Sequence, residues 1–92
     1  ITKLSISVVV VPIGRGSVII YENRPYYVLT YSQGTIKLVD ITSKDVINVR
    51  LHDLVKNRIS IPRYETRCVE RDGSRALEIT INNESYLLDN AC

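Results

Sequence analysis

The chain has 92 residues, 45% hydrophobic and 24% charged, with twelve basic against ten acidic side chains. That composition argues against a disordered chain, and the near-balance of charge does not by itself predict nucleic-acid or anionic-membrane binding. The length gives a single β domain over 1–92, with a core still marginal in burial.

Phe, Trp and Met are absent and Tyr supplies all six aromatics. The abundant Ile and Val, with Tyr, favour pleated, half-buried surfaces. Scarce Met beside rich Ile, Val and Arg leans toward a thermophilic source. No apolar run approaches the roughly 18 residues of a membrane span. Residues 4–11 lack the length and cleavage site of a signal peptide. A start at Ile1 without Met is expected of a chain trimmed at its start or of one that has lost a leader.

Residues 1–11 read as the first strand, stopped by Pro12. Leu4, Ile6, Val8 and Val10 alternate with Lys3, Ser5 and Ser7, and the closing valine run suits a strand covered on both faces. Ile13–Gly16 reads as a loop into a second strand, Ser17–Tyr21, and Glu22–Pro25 as a turn. Tyr26–Tyr31 and Ile36–Ile41 form the next hairpin. A two-residue loop at Gln33-Gly34 sets Tyr31 opposite Ile36, Thr30 opposite Lys37 and Leu29 opposite Leu38.

Residues 43–58 admit two readings. A helix capped by Ser43 would present Ile47, Leu51, Leu54 and Val55 but leave Val46 and Val49 wet. A strand over 45–52 turns Ile47, Val49 and Leu51 inward and misplaces only Val46, with a turn or short helix following at 53–57. The strand is the better fit.

Ile59-Ser60-Ile61 alternates again before Pro62. Tyr64–Arg71 and Ser74–Ile81 flank Asp72-Gly73, which pairs Cys68 with Leu77, Thr66 with Ile79 and Tyr64 with Ile81. The opposite face then sets Arg67 across from Glu78. A turn at Asn82–Glu84 leads to a last strand, Ser85–Leu88, and a tail. The fold expected is all-β: an antiparallel β-sandwich (Ig-like) or small barrel of about seven or eight short strands, with a short helix near 53–57.

A catalytic constellation is hard to assemble, and the chain reads as non-enzymatic, without cofactor, metal or small-molecule substrate. His52, the only histidine, falls on an outward face. Two cysteines and one histidine fall short of a structural zinc set. Gly14-Arg15-Gly16 lacks the strand–GxGxxG–helix context of a phosphate loop. Cys68 and Cys92 are expected to form a disulfide tying the tail to the sheet, in keeping with a cell-surface or extracellular protein, a virion or a hyperthermophile interior. Asn83-Glu84-Ser85 matches the N-glycosylation acceptor pattern on a turn.

Two functional classes follow. In the first, Leu4, Ile6, Val8 and Val10 complete a neighbour's sheet, and the protein assembles with copies of itself by strand addition. That organisation resembles donor-strand pilus subunits and archaeal surface threads, which implies donor-strand complementation in a head-to-tail filament. In the second, an intracellular β-domain binds nucleic acid or a regulatory protein through a basic face of Lys56, Arg58, Arg63, Tyr64 and Arg67. Tyr26, Tyr27 and Tyr31 are expected in the core or on a sheet face.

Overall fold

The computed structural model describes residues 13–57 and 59–92. In chain order its elements are β1 (Val18–Tyr21), β2 (Arg24–Ser32), β3 (Thr35–Asp40), β4 (Val46–Arg50), α1 (Leu51–Lys56), β5 (Ile59–Ser60), β6 (Tyr64–Arg71), β7 (Ser74–Ile81) and β8 (Glu84–Asp89). The first five strands make one sheet in the order β4-β3-β2-β1-β5, and the last three make a second, β6-β7-β8. Every pairing is antiparallel. The expected all-β sandwich is what forms.

Two-residue loops drive the local folding. Glu22-Asn23, Gln33-Gly34, Asp72-Gly73 and Asn82-Asn83 all have positive φ at both positions. This is the type I′ geometry whose twist matches that of paired strands, and Gly and Asn enter it with little strain. Ahead of β1, the Ser17 N–H donates to the Gly14 carbonyl at 3.0 Å. Gly16, at φ 90°, supplies the left-handed position that this turn needs.

The β6–β7 register is the expected one at every position, including Arg67 opposite Glu78. The β2–β3 hairpin departs from expectation in one residue. Tyr31 faces Ile36 and Thr30 faces Lys37, but a bulge lies between Val28 and Thr30, so Leu38 pairs with Val28 instead of Leu29. The extra residue sends Leu29 to the opposite face, toward the second sheet.

Arg24 and Pro25, expected in a turn, belong to β2, with Pro25 opposite Ile20. Proline fits because this pair exchanges no hydrogen bonds, being the second beyond a two-residue loop. On its other side Pro25 accepts from the Ile41 N–H at 3.0 Å but has no proton to return. The Ile41 carbonyl takes one from Lys44 Nζ at 2.6 Å instead.

Residues 46–50 form a strand, as the inward Ile47 and Val49 required, and Val46 is left 52% exposed. The helix starts at Leu51, two residues before the expected turn, so Leu51 and His52 are helical.

Alternation loads both faces of the larger sheet. Val18, Tyr27, Val39 and Ile41 pack against Leu77, Ile79, Ile81 and Leu88 of the smaller one. Ile19, Tyr26, Val28, Ile36 and Leu38 pack on the far face with Val49 and Leu54, the buried residue of α1. Each fully buried aliphatic among these contributes about 1.5–3 kcal/mol.

Asp40 is the one buried charged or polar side chain among the described residues, at 4% exposure. Its Oδ1 accepts the N–H groups of Thr42 at 2.8 Å and Ser43 at 3.1 Å, and its Oδ2 meets Arg24 at 3.3 Å. Burial alone would raise its pKa. The backbone donors of Ser43 and Thr42, then Arg24, outweigh burial and hold the carboxyl below its ordinary value. Because the folded pKa is the lower one, this carboxylate stabilises the fold above its unfolded pKa, and the effect fades as pH falls through the folded value. Asp40→Ala should therefore lose about 1–3 kcal/mol at pH 7. Urea midpoints of the two proteins should converge in acid; an equal gap at both pH values would count against this role.

Candidate assembly surface

The predicted strand of Leu4, Ile6, Val8 and Val10 lies outside the described residues, as does Arg58.

The smaller sheet covers only part of the larger. Between the edge strands β4 and β8 opens a groove of ≈ 290 Å³, and its apolar lining is Leu29, Val39, Val46, Leu87, Leu88 and Ala91. Lys44 stands at the β4 side and Asp89 at the β8 side. Among the described residues neither edge strand has a second neighbour.

Ladder alternation says which backbone groups face the opening. In β8 the pair closing the hairpin, Ile81 and Glu84, is hydrogen-bonded, so Ser85, Leu87 and Asp89 turn their N–H and C=O groups away from β7. In β4 the bonds Asp40 N–H to Asp45 O at 2.8 Å and Leu51 N–H to Gly34 O at 2.7 Å fix the phase. Val46, Asn48 and Arg50 are the residues left with outward backbone there.

Cys68 and Cys92 are bonded, with Cα atoms 5.8 Å apart. Cys68 shares the face of Leu77, so the tail must pass over β7 to reach β6. That crossing lays Ala91 on the inter-sheet cluster and brings it into the groove wall. Cys92 Sγ sits 3.3 Å from the Ala76 carbonyl, but a disulfide sulfur has no proton to donate, so this is a packing contact. A disulfide is compatible with an extracellular location.

The basic set does not come together as one face. Lys56 is on α1, and Tyr64 packs its ring on the inter-sheet cluster. Arg67 points to the opposite side of β6, bonded to Glu78 Oε1 at 2.7 Å, and that carboxylate holds its pKa up. Arg63 is exposed in the link before β6. Tyr26 and Tyr27 are buried, whereas Tyr31 is 50% exposed.

Asn83 occupies the second loop position of the β7–β8 turn and is exposed, so the acceptor nitrogen is open to modification. Ser85 of the same triplet shares a 3.1 Å hydroxyl contact with Thr80.

His52 is exposed on α1, and both cysteines are spent in the disulfide, so no Cys–His pair exists. Among the described residues no three His, Cys, Asp or Glu side chains stand close enough to hold a metal ion. None of the described helices is long and apolar enough to cross a membrane. A larger hollow of ≈ 590 Å³ lies beside the β6–β7 turn, its lining including Arg71, Arg75, Asp72 and Asp89, charges of both signs that form no ion pair among the described residues.

No known protein family, curated protein or solved structure matches this chain.

The groove was not legible in the sequence. Leu29 reaches it through the bulge and Ala91 through the disulfide, and neither follows from periodicity. Reducing the bridge, or replacing Cys92→Ser, should lower stability by roughly 3 kcal/mol for a loop of this length. Thermal melts with and without reductant read this directly, and an unchanged midpoint would contradict it.

Proposed function

We propose that this chain is a non-enzymatic structural subunit that assembles with copies of itself by β-strand addition, residues 1–11 completing the sandwich of a neighbour. The observation that carries this reading is the apolar groove between β4 and β8, open along two strand edges whose backbone groups are unpaired among the described residues. An exposed edge beside apolar surface invites strand pairing. Leu4, Ile6, Val8 and Val10 supply the matching apolar face.

Magnitudes favour the combination over either part alone. Burying four such side chains gives about 1.5–3 kcal/mol each, and association costs an estimated 4–15 kcal/mol in lost freedom. Apolar burial thus roughly offsets that cost, and each backbone hydrogen bond to an open edge adds about 0.5–1.5 kcal/mol net. Head-to-tail donation does not close on itself, so the product is a surface filament, pilus-like thread or virion lattice. The disulfide and the exposed Asn83 triplet suit an extracellular or cell-surface setting. The nucleic-acid reading lacks comparable support, because Tyr64 turns into the core and Arg67 is already paired.

Sizing the intact chain beside one lacking residues 1–11 tests the proposal. The intact chain should run as a concentration-dependent series, the shortened one as a monomer. Full-length Ile6→Asp should abolish the series while retaining the Cys68–Cys92 bond. Monomers throughout would sink the idea, whether or not the shortened chain folds.

A further inference from the structure

Two strand edges border the groove, and they are not equivalent. The residues of β8 on the side of the other sheet are Glu84, which is exposed at the strand's start, and Tyr86 and Leu88, both packed in the inter-sheet cluster. Those facing the other way are Ser85, Leu87 and Asp89, two of them polar and exposed. On β4 the order is reversed. Asn48 and Arg50 are exposed and share the inter-sheet side with Val46, while Ile47 and Val49 pack on the far face against the helix side.

Residues 3–8 carry one apolar and one polar face. Laid along β8, their apolar face continues Tyr86 and Leu88 over Leu29, Val39 and Val46, and their polar face continues Ser85 and Asp89. Laid along β4, the apolar face would lie either on the far side, which Leu54 of α1 already occupies, or beside the exposed Asn48 and Arg50 on the inter-sheet side. Neither placement continues an apolar face with an apolar face as β8 does.

The outward backbone of Ser85, Leu87 and Asp89 sets the phase, because those residues must form the hydrogen-bonded pairs with an incoming antiparallel strand. Three residues of residues 1–11 have the same polar-face parity and a single cation among them: Lys3, Ser5 and Ser7. Resting on the strand-addition reading, we infer that residues 3–8 of a second copy pair antiparallel with β8, setting Lys3 opposite Asp89, Ser5 opposite Leu87 and Ser7 opposite Ser85. Leu4 then abuts Leu88, and Ile6 abuts Tyr86, inside the groove. The described ion pairs are Arg24–Asp40 and Arg67–Glu78, so among the described cations none engages Asp89. The opposite-charge pair with Lys3 fixes both direction and register, since a two-residue slip would set Lys3 beside Ala91.

Cysteine pairing in the full-length protein tests this arrangement. Hydrogen-bonded partners lie about 5.5 Å apart at Cα, within disulfide reach. A chain carrying Ser7→Cys with Ser85→Cys, both substitutions small, should give a ladder of disulfide-linked multimers under mild oxidation. A chain carrying Ser7→Cys with Asn48→Cys should not. Charge reversal adds a second readout: Lys3→Glu should weaken association about two- to five-fold, and adding Asp89→Lys should restore it. Linkage to position 48 in place of 85, or bonding within one chain, would overturn the β8 assignment. So would an unrestored charge swap. Multimers that depend on residues 1–11 but link at β4 would leave strand addition standing and remove only this register; a monomeric full-length chain would remove both.

Discussion

Adjacent residues of β1 and β2 serve opposite faces of the larger sheet, and both faces are apolar. Val18 and Tyr27 pack toward the smaller sheet, while Ile19 and Tyr26 pack away from it. A strand with alternating faces cannot slip by one residue without exchanging the two sets, so double-sided burial fixes register throughout β1–β3. The one break in alternation is the bulge at Leu29, where Leu29 and Thr30 fall on the same side. That bulge shifts one residue to the inter-sheet side and lets the hairpin tip carry Thr30 and Tyr31 outward. Asp40 then stops β3: its carboxylate gathers the N–H groups of Thr42 and Ser43 and turns the chain toward β4.

Legibility in the sequence followed the number of independent signals at each element. In β6–β7 the Asp72-Gly73 loop, three apolar pairs and the Arg67–Glu78 pair all demanded one register, and that register formed. At 46–56, one misplaced valine was enough to favour strand over helix, although the helix began two residues early. Leu29 was misread because alternation alone cannot announce an inserted residue. Pro25 reads as part of a turn because it closes the run Glu22-Asn23-Arg24-Pro25, whereas the strand tolerates it at a pair that exchanges no hydrogen bonds. The groove draws on β2, β3, β4, β8 and the tail, so no single stretch carried its pattern.

The free edges differ in how they are guarded. β6 is long, but Glu65, Arg67, Glu70 and Arg71 line it with exposed charge, a common defence against unwanted pairing. β8 carries charge only at its two ends, Glu84 and Asp89, and presents Ser85 and Leu87 between them beside an apolar hollow. The disulfide holds the far rim of that hollow by keeping Ala91 in place. Among the described residues five strands lie over three, joined by four tight turns, with the groove between β4 and β8 left open.

Residue-resolved hydrogen exchange on the assembled full-length protein tests this account most directly. The amides of Ser85, Leu87 and Asp89 point to the open edge, so an added strand must slow their exchange while Val46, Asn48 and Arg50 on β4 stay fast. Protection confined to those three β8 amides is the result predicted. Fast exchange along both edges in the assembled form, or protection on β4 alone, would contradict it.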